Sequence, residues 1–151
     1  LQNGTGNVGI GTTAPGAKLE VAGTTSTITN SSGDLTITPV DHLKVAGAMY
    51  SPRYVVSNEI DVDWSNGNVQ SITLSASRTL TFANGQDGGK YILIIKQRGA
   101  GSFTITWPGT VRWSGGTAPT LTTAANKTDY IGFIYNGVDA KYDGVAQKLN
   151  F

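Results

Sequence analysis

Apolar and polar positions along the chain alternate in short runs and nowhere repeat at helical spacing. No segment sustains the i, i+3, i+4, i+7 pattern over three turns, and Leu121–Lys127 is the best, though poor, candidate for a short helix. Strands are predicted at Val55–Val56, Ile60–Trp64, Val69–Leu74, Leu80–Phe82, Val111–Trp113, Tyr130–Tyr135 and Val138–Val145. Phe103–Trp107 is another, with its odd positions facing one way. Tyr91-Ile92-Leu93-Ile94-Ile95 is continuously apolar and predicts a strand buried on both faces. Between these runs lie the turn clusters Ala83–Gly89, Gly99–Gly101, Pro108–Gly109 and Ser114–Pro119. Asn136-Gly137 is the dipeptide of a type I′ hairpin. Strands at a spacing of ~8–12 residues, separated by turns, predict an all-β sandwich or barrel.

The first part of the chain is different. Leu1–Met49 contains no Phe, Tyr or Trp, so it lacks the large side chains needed for a thick core of its own. It has a short self-similarity: Leu19-Glu20-Val21-Ala22-Gly23 returns as Leu43-Lys44-Val45-Ala46-Gly47. Between the copies, Leu35-Thr36-Ile37 predicts a short strand ended by Pro39. Stacked units of this kind need neighbours to bury their apolar faces, and those neighbours can be other chains. The expected organisation is an N-terminal fibre shaft or anchor segment over 1–50 and a C-terminal β-sandwich knob over 51–151.

Composition narrows the function. Only 14% of residues are charged, against roughly 25% in ordinary domains. The net charge is +1, and the eleven Lys and Arg are scattered singly, so no phosphate-tracking stripe exists and no nucleic-acid partner is expected. No apolar run approaches the ~18 residues of a membrane span, and no membrane insertion is expected. Cysteine is absent, which removes disulfides, zinc–thiolate sites and thiol nucleophiles. The chain begins at Leu1 without an initiator Met, as a processed product, a fragment or the ordered part of a longer protein would.

Gly6-Asn7-Val8-Gly9-Ile10-Gly11-Thr12-Thr13-Ala14-Pro15-Gly16-Ala17-Lys18-Leu19-Glu20-Val21 resembles the NVGIGTT-type motif of phage tail fibres, tailspikes and some bacterial surface fibres. There the motif resembles a glycine turn followed by a short β element in an intertwined trimer. Gly9 and Gly11 would let backbones approach near an axis, while Val8, Ile10, Leu19 and Val21 would supply apolar layers. Thr104–Pro108, Trp113, Gly115–Leu121, Phe133–Gly137 and Asn150-Phe151 resemble, more loosely, a β-rich terminal domain of phage fibre proteins. The resemblance implies a short intertwined trimeric shaft followed by a jelly-roll-like terminal domain. It also implies a homotrimer that contacts other virion proteins through its N-terminal segment and presents the knob to a host-surface glycan. Nothing after Gly23 looks like the helix-rich self-cleaving chaperone that follows the motif in many fibres. A capsid decoration or head fibre, and a bacterial extracellular filament subunit, are the alternatives.

Candidate chemistry is sparse, and no enzyme, cofactor or metal is expected. His42 is the only imidazole, so a Ser-His-Asp triad would have to use it. In a trimer it could offer three imidazoles to one metal ion, but a surface histidine is the simpler reading. Asp61 and Asp63 share one strand face, where paired carboxylates could serve glycoside hydrolysis or calcium binding. A solvated strand face is the simpler reading, and the chain is too short for the long β-helix of fibre depolymerases. Asp139 and Asp143 flank Lys141 as exposed hairpin positions. Among Trp64, Trp107, Trp113, Tyr130, Tyr135 and Tyr142, most should be core. Phe82, Phe103, Ile105 and Phe133 are expected inside. Trp113, beside Arg112 and before a glycine-rich loop, is the candidate exposed aromatic, and this pair is the candidate ligand contact.

Overall fold

The computed structural model describes residues 8–10, 13–14, 19–21 and 46–151. The chain divides into two compact units, Leu1–Ala46 and Gly47–Phe151. In the first, β1 (Val8–Ile10) and β2 (Leu19–Val21) form a parallel pair, with Val8 opposite Leu19 and Ile10 opposite Val21. Val8, Gly9, Ile10, Leu19 and Val21 of the expected packing motif therefore share one ladder, and Ile10 is exposed. Gly11, His42, the strand expected at Leu35–Ile37 and Leu43–Val45 of the repeat lie outside the described residues.

The second unit is all-β, broken only by 3-10 turns at Trp64–Asn66 and Ser114–Gly116. Its first half is wound rather than folded back. The strands β3 (Arg53–Val55), β5 (Val69–Leu74) and β8 (Lys90–Gln97) stack in parallel, with Arg53 beside Val69 and Val69 beside Ile92. Between them the chain crosses to a second layer. There β4 (Asp61–Asp63) pairs in parallel with β7 (Thr81–Ala83), and β6 (Arg78–Thr79) pairs in parallel with β9 (Ile105–Thr106). Leu80 joins β6 to β7, and its N–H donates to the Thr106 carbonyl, so residues 78–83 act as one bent rung between β4 and β9. Each of three coils thus adds one rung to each layer.

The second half closes one end of the stack. The strand β11 (Thr128–Asn136) runs antiparallel to β8, β12 (Lys141–Lys148) runs antiparallel to β11, and β10 (Val111–Trp113) lies parallel to β12. The resulting main sheet has the order β10-β12-β11-β8-β5-β3. The fold is all-β as expected, but β3, β5 and β8 are parallel neighbours, where a jelly roll pairs its strands antiparallel. The glycine clusters at 85–89 and 99–101 do reverse the chain, but each passes it to the other layer instead of to an adjacent antiparallel strand.

Period-2 alternation fills the space between the layers. Along β8, Tyr91, Leu93 and Ile95 are buried, while Lys90 and Lys96 face outward. Phe133 is central, with the rings of Trp64, Phe82, Trp107 and Trp113 around it. Phe133 is fully buried, whereas Phe82, Phe103 and Ile105 are half-buried against the core. Trp64 and Tyr142 are core residues, and the Tyr142 phenol oxygen accepts a bond from the Gly85 N–H at 2.9 Å.

Two buried polar side chains replace the helix considered at Leu121–Lys127, which forms no helix. Asp129 accepts from the N–H of Thr122 at 2.7 Å and of Asn150 at 2.9 Å. The Gln97 amide donates to the carbonyls of Phe103 and Thr122. These bonds engage both backbone groups of Thr122, and residues 124–126 form a turn closed by the Lys127 N–H on the Ala124 carbonyl, so no helix forms. Asn136-Gly137 does not form a two-residue turn. The loop runs over four residues, 137–140, and the positive φ falls on Ala140 (52°). Asn136 closes it by accepting from the Asp139 N–H.

Candidate functional site

The residues Arg112 and Trp113 lie next to each other on β10 and, by strand alternation, point to opposite faces of the main sheet. The parallel register places Arg112 beside Asp143 and Trp113 beside Gly144.

Arg112 is fully engaged. Its Nε and one terminal nitrogen donate to the two oxygens of Asp143, at 2.6 and 3.0 Å, and its other terminal nitrogen donates to Asp139 at 2.9 Å. This is the two-pronged geometry of the strongest charge-assisted pairs. The Arg112 bonds hold the Asp143 carboxyl below the usual carboxylate range, and the two carboxylates raise the guanidinium further above its ordinary value. The neighbouring Lys141 donates its ammonium to the Gly109 carbonyl at 2.8 Å. One arginine and one lysine stand against two aspartates, so the cluster is locally neutral. Asp139 and Asp143 read in the sequence as separate exposed positions. Their convergence on Arg112 depends on a pairing with a strand thirty residues away, which no local pattern announces.

Trp113 is half-buried rather than free. Its ring meets Trp107 edge-on with centroids 5.1 Å apart and approaches Phe133 at 5.8 Å. The exposed part of the indole forms a shared wall between shallow depressions. One, of about 220 Å³, is lined on its polar side by Ser114, Thr117 and Gln147. Another lies toward Gly109, Gly116 and Lys141. The loop that makes both is 3-10 turn Ser114–Gly116, in which Gly115 and Gly116 have φ of 72° and 76°, a region that favours glycine. The site therefore offers an apolar ring edge, hydroxyls and an amide, with balanced charge.

The other candidates resolve differently. Asp61 and Asp63 do share the outward side of β4, around buried Val62. Thr81 and Asn58 donate to Asp61, at 2.6 and 2.7 Å. The Ser65 hydroxyl, the Asn84 amide and the Ser65 N–H donate to Asp63 and hold its carboxyl below its ordinary value. A glycosidase acid needs the opposite shift. Among the described residues no group of three His, Cys, Asp or Glu is placed to hold a metal ion. Tyr130 is exposed and packs edge-on against Phe151, and Tyr135 lies tilted against Tyr142. Burial pushes the Tyr142 phenol up to about 12, against the lowering effect of the Gly85 N–H. No helix among the described residues is long and apolar enough to cross a membrane.

Residues 54–140 match the sequence profile of a family described as "Putative phage tail fibre C-terminal domain". This span runs from β3 through the Arg112–Trp113 site to the loop before β12. No curated protein and no solved structure matches the chain.

Proposed function

Because the chain belongs to this family of phage tail fibre C-terminal domains and is a component of the virion fibre, we propose that it is a non-enzymatic homotrimer whose terminal domain attaches the particle to a host-surface glycan. Its N-terminal segment would join it to other virion proteins. The observation that carries the attachment reading is the half-buried Trp113 ring, standing between depressions with Ser114, Thr117 and Gln147 on one rim. An aromatic wall with hydroxyl and amide neighbours suits the apolar faces and hydroxyl edges of a sugar. The ligand class is uncharged. Arg112 is neutralised by Asp139 and Asp143, so an acidic sugar would gain no free cation there.

Binding of the purified chain to a glycan array and to host cells tests this reading. Trp113→Ala should abolish binding, and Thr117→Ala with Gln147→Ala should weaken it while leaving the core intact. Unchanged binding in both variants would remove the site. Turnover of surface polysaccharide by the purified chain would overturn the non-enzymatic reading.

A further inference from the structure

We infer that the outward face of the main sheet is a docking surface for a second copy of this chain, which meets it with the open, first-coil end of its own terminal domain. The inference rests on the homotrimeric part of the reading above. It is independent of glycan attachment.

The strand β8 is apolar on both faces, but the described residues cover only one. Ile92 and Ile94 point outward, and Ile92 is 43% exposed. Beside them on the same face lie Val69, Tyr130 and Ile134. A solvated sheet face normally carries polar side chains, and a strand apolar on both sides is normally covered on both. Gly132, packed against the small Ala146, opens a furrow of about 260 Å³ in this face, walled by Val69, Ile92, Ile134 and Val145.

Charge selects the occupant. Lys90, Lys96 and Lys148 surround the apolar centre and make no ion pair among the described residues. The outward carboxylate on these strands, Asp143, is taken by Arg112. Two such faces laid together would set lysine against lysine, so face-to-face pairing is disfavoured. The complement occurs elsewhere on the same chain. Among the described residues the first coil ends in an open edge, β3, whose three residues are all exposed; its one cation, Arg53, is outnumbered by the two carboxylates of the same coil named below. Met49 and Tyr50, just before it, are 81% and 86% exposed. Asp61 and Asp63 lie on the same coil and have no cationic partner among the described residues.

End-to-face contact therefore matches apolar with apolar and carboxylate with lysine. The contact is heterologous, and its two surfaces, an edge and a face of one sheet, are adjacent rather than opposite. A heterologous contact closes a ring when the rotation it imposes completes a turn, and the trimeric reading requires that closure here.

The absence of cysteine makes the test clean. Tyr50→Cys, Ile134→Cys and the double variant would be oxidised mildly in the full-length chain and run on non-reducing gels. The double variant should lose its monomer band to covalent multimers, while each single variant stays monomeric on the gel. Cross-linking by either single variant, or none by the double variant, overturns the inference. Ile92→Glu added to the double variant gives an independent reading: a glutamate at the centre of the face should abolish the covalent multimers. Multimers that persist in a folded triple variant also overturn it. Glycan binding, measured on the same samples, reports separately on attachment.

Discussion

The six-membered ring of Trp113 occupies the space that a side chain at Gly144 would need. The two residues are partners in the parallel β10–β12 register. A glycine is therefore required in β12 because an aromatic from another strand lies over it, not because of its own backbone angle.

Replacing Gly144 with Ala should force Trp113 off its seat against Trp107 and Phe133. The expected cost is ~1–3 kcal/mol of overpacking, read as a shift in the urea midpoint with unchanged slope. Near-ultraviolet circular dichroism should change, and glycan binding should weaken together with it.

Replacing Asp129 with Ala should remove the acceptor shared by the N–H groups of half-buried Thr122 and exposed Asn150, of which only the second can turn freely to water. A loss of ~1–3 kcal/mol is expected, mostly from the unpaired Thr122 N–H. Hydrogen exchange at Thr122 and Asn150 should accelerate more than exchange at Ile72, which would separate local release from global destabilisation.

Stability should fall on acidification below about pH 4, the ordinary carboxylate range. The carboxyls of Asp63 and Asp143 lie below their ordinary values in the folded chain. Glu59 does too: burial alone would raise it, but the N–H and hydroxyl of Ser75 and the guanidinium of Arg78 outweigh that effect. A depressed folded value means that the unfolded chain binds protons first as pH falls. The stabilisation is complete above the unfolded values and is lost through the lower, folded ones. Thermal midpoints from pH 7 to pH 2 should show a plateau and then a decline, and Asp143→Asn should flatten that decline.

Replacing Ala140 with Gly should raise stability by up to ~1 kcal/mol, because a left-handed conformation is costly for a residue with a Cβ. Ala140 holds a φ of 52° in the loop before β12. A rise in the thermal midpoint without a change in glycan binding is the expected outcome.

The local elements were largely legible in the sequence, and their pairing was not. Val69–Leu74 alternates and is a strand over those same residues. The turn cluster at 85–89 marks a real reversal, but its composition carries no information about which layer the chain enters next. That choice depends on Leu80 and Phe82 reaching the core from the opposite side. Asn136-Gly137 failed as a two-residue turn because Asn136 bonds to Asp139 and spreads the loop to Ala140. At the site, neighbouring positions concealed opposite roles: Arg112 is closed off by carboxylates, while Trp113 is seated on a glycine. The continuous run at 91–95 correctly signalled a strand. Its second apolar face remains uncovered among the described residues, and it is this mismatch that points to another copy.

The wound coils also bear on how such a domain could vary in length. Each rung bonds to the rung before and after it, as Arg53, Val69 and Ile92 do in succession. The Trp113 loop and the β11–β12 pair touch the stack at its closed end. A whole coil inserted between β5 and β8 would meet neighbours of the same kind on both sides and leave the Trp113 loop unaltered. The reach of the domain and the surface it presents are therefore separable traits, open to independent change by duplication and by point substitution.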